Sequence, residues 1–212
     1  MTRLGILLSG RGTNFLAIAD AIDHGQIDNA KISIVISNRA EAPGIAAART
    51  RGLATQVIEA RGRKRTEQDA ETIACLREHG VELVCLAGYM RLLSPEFVAA
   101  FPNAILNIHP SLLPAFPGLD AQCQALQYGV GITGCTVHFV DEQLDHGVIV
   151  LQRAVPVLEG DDEAALSARI LEQEHLIYPE AIARVLSGKY RVVDRRYVPD
   201  ARQDGSKREG IK

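Results

Sequence analysis

The most constraining feature of this sequence is an alternation, over its first two thirds, between short apolar runs and segments with helical periodicity. The apolar runs are rich in Ile, Val and Leu, and Gly, Pro and Asn separate them from the helical segments. Parallel strands covered by helices on both faces have this composition. The pattern predicts strands at residues 3–8, 31–37, 54–58, 82–86 and 104–108, and helices at 14–24, 43–50, 66–79 and 95–101.

Beyond residue 108 the pattern changes. Two β-rich runs, 133–140 and 148–155, flank a polar stretch, and a long helix is predicted over 163–186. The whole chain is therefore predicted to be α/β, with an open, mostly parallel sheet that ends in a strand–long loop–strand unit. We expect one domain over residues 1–190 and a C-terminal extension over 191–212 whose polar end frays.

Composition excludes several classes of protein. A formal net charge of −3, from 23 Lys and Arg against 26 Asp and Glu, and the lack of a basic stripe argue against a nucleic-acid partner. The longest apolar runs are far below the ~20 residues of a membrane span, and no signal peptide is recognisable, so we expect a cytoplasmic protein without a membrane partner. The four cysteines form no C-x-x-C pair and the histidines lack ligand spacing, so no metal is expected.

A glycine-rich loop, Gly10-Arg11-Gly12-Thr13-Asn14, follows the first predicted strand and opens the first predicted helix. Backbone amides at the start of such a helix can bind an anion, and phosphate is the most natural ligand. The third glycine of a dinucleotide fingerprint would fall at Phe15, and the second strand ends without an acidic residue, so NAD is disfavoured. A tight strand–helix turn without a ligand stays open as the alternative.

A polar pair, Asn107 and His109, ends the fifth predicted strand. Residues two apart in a strand point to the same face, and Pro110 then stops the strand. Ligands of open α/β sheets bind at this carboxyl edge. An imidazole there can transfer protons near neutral pH, and an amide can stabilise an oxyanion. The alternative is that both side chains only tie down the proline-rich loop that follows.

Asp145 lies 36 residues after His109, in the polar loop between the two late β-rich runs. A carboxylate beside His109 would raise the pKa of the imidazole and favour the imidazolium. Acidic loop residues more often only contribute to solubility, and spacing alone decides nothing here. His138, in the strand before this loop, is predicted to be a packed or hydrogen-bonded strand residue.

Four segments, residues 8–14, 86–95, 106–114 and 137–145, closely resemble the phosphoribosylglycinamide formyltransferase family in order and spacing. The resemblance spans about residues 3–190. It implies a Rossmann-like formyltransferase fold with a late antiparallel strand. The implied activity is transfer of the formyl group of 10-formyltetrahydrofolate, a co-substrate, to the amine of N1-(5-phosphoribosyl)glycinamide, a step of purine (IMP) biosynthesis.

The resemblance also assigns roles to individual residues. In the implied mechanism the amine attacks the formyl carbon directly, Asn107 and protonated His109 stabilise the oxyanion, and Asp145 maintains the charge of His109 and helps proton shuttling. The residues implied to bind the ribonucleotide are Gly12, Thr13, Asn14 and Glu174. The residues implied to bind the folate are Arg65, Met90, Arg91, Leu92, Leu93, Asn107 and Asp141.

The chain departs from the family pattern at two places. His146 and Val148 stand where the family commonly has a second glycine and a proline after the catalytic aspartate, and the stretch 117–122 replaces a version that usually contains histidine. We therefore carry over no substrate contact from residues 117–122.

Two rival functions share parts of this pattern: a 10-formyltetrahydrofolate hydrolase and a non-catalytic sensor of phosphate ligands. The hydrolase usually carries an N-terminal regulatory domain, and methionyl-tRNA formyltransferase carries an additional C-terminal domain. Neither is expected in this chain of 212 residues. A homodimer remains open.

Overall fold

The apolar runs fold into a single nine-stranded sheet in the computed structural model, which describes residues 1–200. The strands are β1 Thr2–Leu8, β2 Ala30–Ser37, β3 Thr55–Val57, β4 Leu83–Leu86, β5 Ile105–His109, β6 Ile132–Phe139, β7 Ile149–Pro156, β8 Tyr190–Val193 and β9 Arg196–Pro199. Their order across the sheet is β3-β2-β1-β4-β5-β6-β7-β9-β8. Strands β1 to β5 pair in parallel, whereas β6 pairs antiparallel with both β5 and β7.

Within the described residues, six helices accompany the sheet: α1 Thr13–Asp23, α2 Pro43–Thr50, α3 Arg65–Glu78, α4 Pro95–Ala100, α5 Ala121–Tyr128 and α6 Glu163–Leu186. Local sequence explains where two helices begin. The Ser94 side chain accepts a hydrogen bond from the Phe97 N–H of α4, and the Asp162 side chain accepts one from the Ala165 N–H of α6. Within residues 1–200, no helix is long and apolar enough to cross a membrane.

Both faces of the sheet are covered. Leu4, Ile6 and Leu8 of β1 are buried on one face, in a cluster that includes residues of α1 and α6. Leu7 belongs to a second cluster, which includes residues of α3 and α4. The period of two along β1 therefore sends alternate side chains into two cores. The predicted α/β fold, with helices on both faces and late antiparallel strands, is confirmed.

The predicted elements agree with the structure to within one residue at each end. The sequence interpretation missed α5, β8 and β9. The last two form an antiparallel hairpin that begins at Tyr190, one residue before the segment expected to be an extension, and β9 pairs in parallel with β7 at Ile149 and Arg196. The fraying predicted for the end of the chain concerns residues outside the described part.

The order of the strands positions a crevice. The chain runs from β1 outward to β3, then returns to place β4 on the other side of β1. The loops that leave β1 and β4 therefore diverge at the carboxyl edge, where open α/β sheets bind ligands. The Ser9 N–H donates to the Gly88 carbonyl, and the Met90 N–H donates to the Ser9 hydroxyl, so the two loops remain tied at their base.

Candidate active site

The polar pair lies at the carboxyl end of β5. Asn107 is half-buried and His109 is buried. Antiparallel pairing with β6 places His138 opposite Asn107, and Nδ2 of Asn107 lies 3.2 Å from Nε2 of His138. Nδ1 of His138 lies 2.8 Å from the Phe139 carbonyl oxygen, to which it donates. Nε2 of His138 is then the acceptor for Asn107, and one amide hydrogen of Asn107 is left for another partner.

Asp145 reaches the same place from the loop between β6 and β7. One carboxylate oxygen lies 3.4 Å from Nδ1 of His109, and the other lies 3.7 Å from Nε2 of His138. The Gly118 N–H donates to this carboxylate at 2.8 Å. The side chain is only 8% exposed, so the acidic residue is not a solvated loop residue. The structure therefore brings Asn107, His109 and Asp145 together, as expected.

Both ring nitrogens of His109 face acceptors. Nε2 lies 2.8 Å from the Phe116 carbonyl oxygen, and Nδ1 faces Asp145. A neutral ring carries only one N–H, so only the imidazolium satisfies both acceptors. His109 also ties down the loop after β5 through Phe116. His109 thus makes both of the contacts considered from the sequence: Nε2 anchors the loop, and Nδ1 faces the carboxylate.

Burial decides the direction of the pKa shift at His109. Desolvation lowers the pKa of His109 and outweighs the opposing effects of the Phe116 carbonyl and the Asp145 carboxylate. The expected sign of the Asp145 contribution is correct, but the net rise in pKa expected from the sequence is wrong. Burial raises the pKa of Asp145, but the adjacent His138 ring, the hydrogen bond from the Gly118 N–H and the His109 ring together leave it below its ordinary value.

His138 was missed as a member of this cluster. The antiparallel register of β6 against β5 brings it opposite Asn107, and the sequence does not show that register. The only available signal was its position in the strand that precedes the Asp145 loop.

The glycine-rich loop forms the second part of the site. Gly12 precedes α1 with φ 74°, and a side chain there would have its Cβ 2.9 Å from the Gly44 Cα. The position therefore requires glycine. Asn14, in the first turn of α1, is buried, and its Nδ2 donates to Glu174 of α6 at 2.7 Å. Its Oδ1 is buried without a hydrogen-bond partner among the described residues.

Glu174 is 7% exposed. Its burial raises the pKa to about 6, against the opposing effect of the hydrogen bond from Asn14. The structure thus joins two residues 160 positions apart, both of them implied to bind the ribonucleotide. An unpaired amide oxygen and a carboxylate that is costly to bury are groups that a polar ligand would satisfy.

The residues implied to bind folate lie in three places. Met90, Arg91, Leu92 and Leu93 follow β4, and the side chains of Met90 and Leu92 are more than half exposed. Asp141 is at the start of the loop that carries Asp145, and its carboxylate accepts the Gln143 N–H. Arg65 is the first residue of α3 and is exposed. No described hydrogen bond or ion pair joins Arg65 to the trio.

No group of three or more His, Cys, Asp or Glu residues suited to hold a metal ion occurs in residues 1–200. The cluster at the ends of β5 and β6 consists of an amide, two imidazoles and a carboxylate. Such a set can stabilise an oxyanion and move a proton.

Comparisons with known proteins identify the family of this chain. The family model described as formyl transferase matches residues 2–182. Phosphoribosylglycinamide formyltransferase of Escherichia coli K12 is 42% identical over 188 residues, which cover 88% of each chain. The human trifunctional purine biosynthetic protein adenosine-3 is 47% identical over 187 residues, so this chain matches 18% of its length. The crystal structure of glycinamide ribonucleotide transformylase 1 from Symbiobacterium toebii superposes with a TM-score of 0.91 at 51% identity and covers 94% of each chain. This chain therefore belongs to the formyl transferase family.

Proposed function

We propose that the chain transfers the formyl group of 10-formyltetrahydrofolate to the amine of N1-(5-phosphoribosyl)glycinamide. The observation that carries the proposal is the convergence of Asn107, His109 and Asp145 at the carboxyl edge of the sheet. The glycine-rich loop and Glu174 form a second polar site beside α1. The Escherichia coli relative, which matches over 88% of each chain, bears the name of this activity, and this adds support.

In this proposal the amine attacks the formyl carbon and produces a tetrahedral intermediate with a negatively charged oxygen. Asn107 has one amide hydrogen beyond its contact with His138, and it donates this hydrogen to the oxyanion. The His109 imidazolium stabilises the oxyanion by its positive charge, because both of its ring nitrogens already face other acceptors. The attacking nitrogen must lose one proton and N10 of the folate must gain one, and the His109–Asp145 pair relays it, directly or through water.

The proposed charge of His109 depends on the reaction itself. Burial disfavours the imidazolium before the oxyanion forms, since it lowers the pKa of His109. A developing negative charge nearby, added to that of Asp145, shifts the balance toward the protonated ring. The imidazolium would then be stabilised more in the transition state than in the ground state, which is the requirement for rate enhancement.

The substrates are assigned to the two ends of the crevice. The backbone amides after Gly12 and the Thr13 and Asn14 side chains bind the phosphate and ribose, and Glu174 accepts hydrogen bonds from the ribonucleotide. The folate lies against the segment from Met90 to Leu93, with Asp141 and Arg65 as polar contacts. The exposed apolar side chains of Met90 and Leu92 are suited to cover the flat ring of a pterin.

The test is a spectrophotometric assay of the purified protein with 10-formyltetrahydrofolate, with and without the ribonucleotide, that follows formation of the deformylated folate. We expect turnover only when the ribonucleotide is present. Turnover without it would identify a hydrolase and refute the transfer reaction. Binding of both compounds without turnover would instead identify a sensor.

A further inference from the structure

The β8–β9 hairpin contacts the loop that carries Asp145. The hairpin lies beyond residue 182, where the match to the family model ends. Its turn contains Asp194, which has φ 53°, and Arg195. The guanidinium of Arg195 donates to the carbonyl oxygen of His146 at 2.5 Å and to Nε2 of the same residue at 3.1 Å. One side chain therefore holds both the backbone and the ring of the residue after Asp145.

The contact continues through His146 to Asp141. An arginine is always a donor, so Nε2 of His146 is the acceptor and the ring proton is on Nδ1. Nδ1 lies 2.8 Å from the Asp141 carboxylate, to which it donates. The carboxylate also accepts the Gln143 N–H at 2.9 Å. Arg195 thus fixes, through His146, the first residue of the loop as well as its end.

Two features of the backbone define the path of this loop. Asp145 has φ 49°, in the left-handed region that few residues other than glycine adopt. Gly147 passes so close to the Phe139 carbonyl that a Cβ would lie 1.8 Å from the oxygen. Contacts from outside the loop can therefore help to hold the Asp145 backbone in this less common conformation.

The hairpin is itself anchored next to the loop. The ring of Tyr197 meets that of Phe139 edge to face at 5.6 Å, and it stacks on Tyr190 at 5.4 Å. The guanidinium of Arg184, near the end of α6, lies 5.0 Å from the centre of the Tyr190 ring. These contacts attach the hairpin to β6 and α6, so Arg195 extends from a fixed support.

We propose that Arg195 is a positioning residue, which holds the 141–147 loop from the β8–β9 hairpin in the conformation that binds the formyl donor. The inference rests on the proposed function, which assigns Asp145 to proton relay and Asp141 to the folate. His146 is the acceptor of this contact, at a position where the family pattern commonly has glycine.

The test compares Arg195→Ala and Arg195→Lys with Arg196→Ala. The last variant removes the same charge from the adjacent exposed position, where no hydrogen bond or ion pair of the side chain is seen among the described residues. The first measurement is amide hydrogen exchange of the unliganded protein. Residues 141–147 should exchange about tenfold faster in Arg195→Ala, while β5 stays protected. Arg196→Ala should match the wild type.

The second measurement is steady-state kinetics. Arg195→Ala should raise the KM for 10-formyltetrahydrofolate by about five- to tenfold and leave the KM for the ribonucleotide unchanged, because the glycine-rich loop is not part of this contact. Arg195→Lys should restore part of the loss, since lysine can donate one of the two hydrogen bonds. A merely structural role of Arg195 would affect both KM values together.

The outcomes are separable. Unchanged exchange of the 141–147 loop in Arg195→Ala would overturn the inference, whatever the activity. Faster exchange with unchanged kinetics would overturn the positioning role. Absence of turnover in the wild-type protein would refute the proposed function, and the exchange data would still decide whether Arg195 holds the loop.

Discussion

Replacing Glu174 by glutamine should stabilise the protein at neutral pH while weakening the site. The carboxyl group is 7% exposed, and its pKa in the folded state is about 6 rather than 4.5. A carboxyl whose pKa is raised by folding favours the protonated form. The contribution of protonated Glu174 to the free energy of unfolding is therefore complete below about pH 4.5, and it is lost as the pH rises through about 6.

The magnitude follows from the two values. At about 1.4 kcal/mol per pH unit, the difference between 4.5 and about 6 amounts to about 2 kcal/mol of unfolding free energy. Glutamine cannot ionise, and its amide oxygen can still accept the hydrogen bond from Asn14. Glu174→Gln should thus have a stability close to the wild type at pH 4.5, and should exceed it at pH 7.5 by most of this 2 kcal/mol.

Urea denaturation of both proteins at pH 4.5 and 7.5 measures this difference. Glu180→Gln is the control, because Glu180 lies on the same helix, is 46% exposed and pairs with Arg153 at 2.8 Å. Its effect should stay below about 1 kcal/mol at both pH values. The KM for the ribonucleotide should rise in Glu174→Gln alone. A stability gain of the same size at both pH values would refute the reasoning, since it would mean that burial does not perturb the pKa of Glu174.

Three further predictions concern the rest of the site. Asp145→Asn should lower kcat by about 10²- to 10⁴-fold with an unchanged urea midpoint, because asparagine can still accept the Gly118 N–H; near-normal kcat would contradict the assigned role. Gly12→Ala should raise the KM for the ribonucleotide about tenfold, since its Cβ would lie 2.9 Å from the Gly44 Cα. Gly10→Ala, whose Cβ would meet nothing within 4 Å, is the matched control, and equal effects of the two variants would be inconsistent with the assigned geometry. EDTA should leave kcat unchanged, and a loss that added metal restores would show that the proposed metal-free mechanism is wrong.

Most of the sheet could be predicted because its signals are local. The Ile, Val and Leu runs of β1, β2 and β4 are buried on both faces, so each strand can be recognised from its own residues alone. The missed elements lack that signal. The four-residue strands β8 and β9 each contain an arginine, and their place depends on Tyr197 packing against Phe139 and on pairing with β7.

The residues of the candidate site also fall into those that local sequence predicts and those that it does not. Alternation along β5 and the position of Pro110 were enough to place Asn107 and His109 together at the strand end. Asp145 could be associated with them through the family resemblance, whereas His138 could not be recognised as a member. The register in which β6 pairs with β5 depends on contacts between distant segments, and it cannot be predicted from a local sequence pattern.

The sequence by itself determined the parallel α/β architecture, the polar pair at the end of β5 and the glycine-rich loop that opens the first helix, because each depends on residues close together in the chain. Only the tertiary structure decided the net direction of the His109 pKa shift, the contact of Asn14 with Glu174 and the support of the Asp145 loop by Arg195. The physical reason is that desolvation and long-range hydrogen bonds arise from which distant segments pack together.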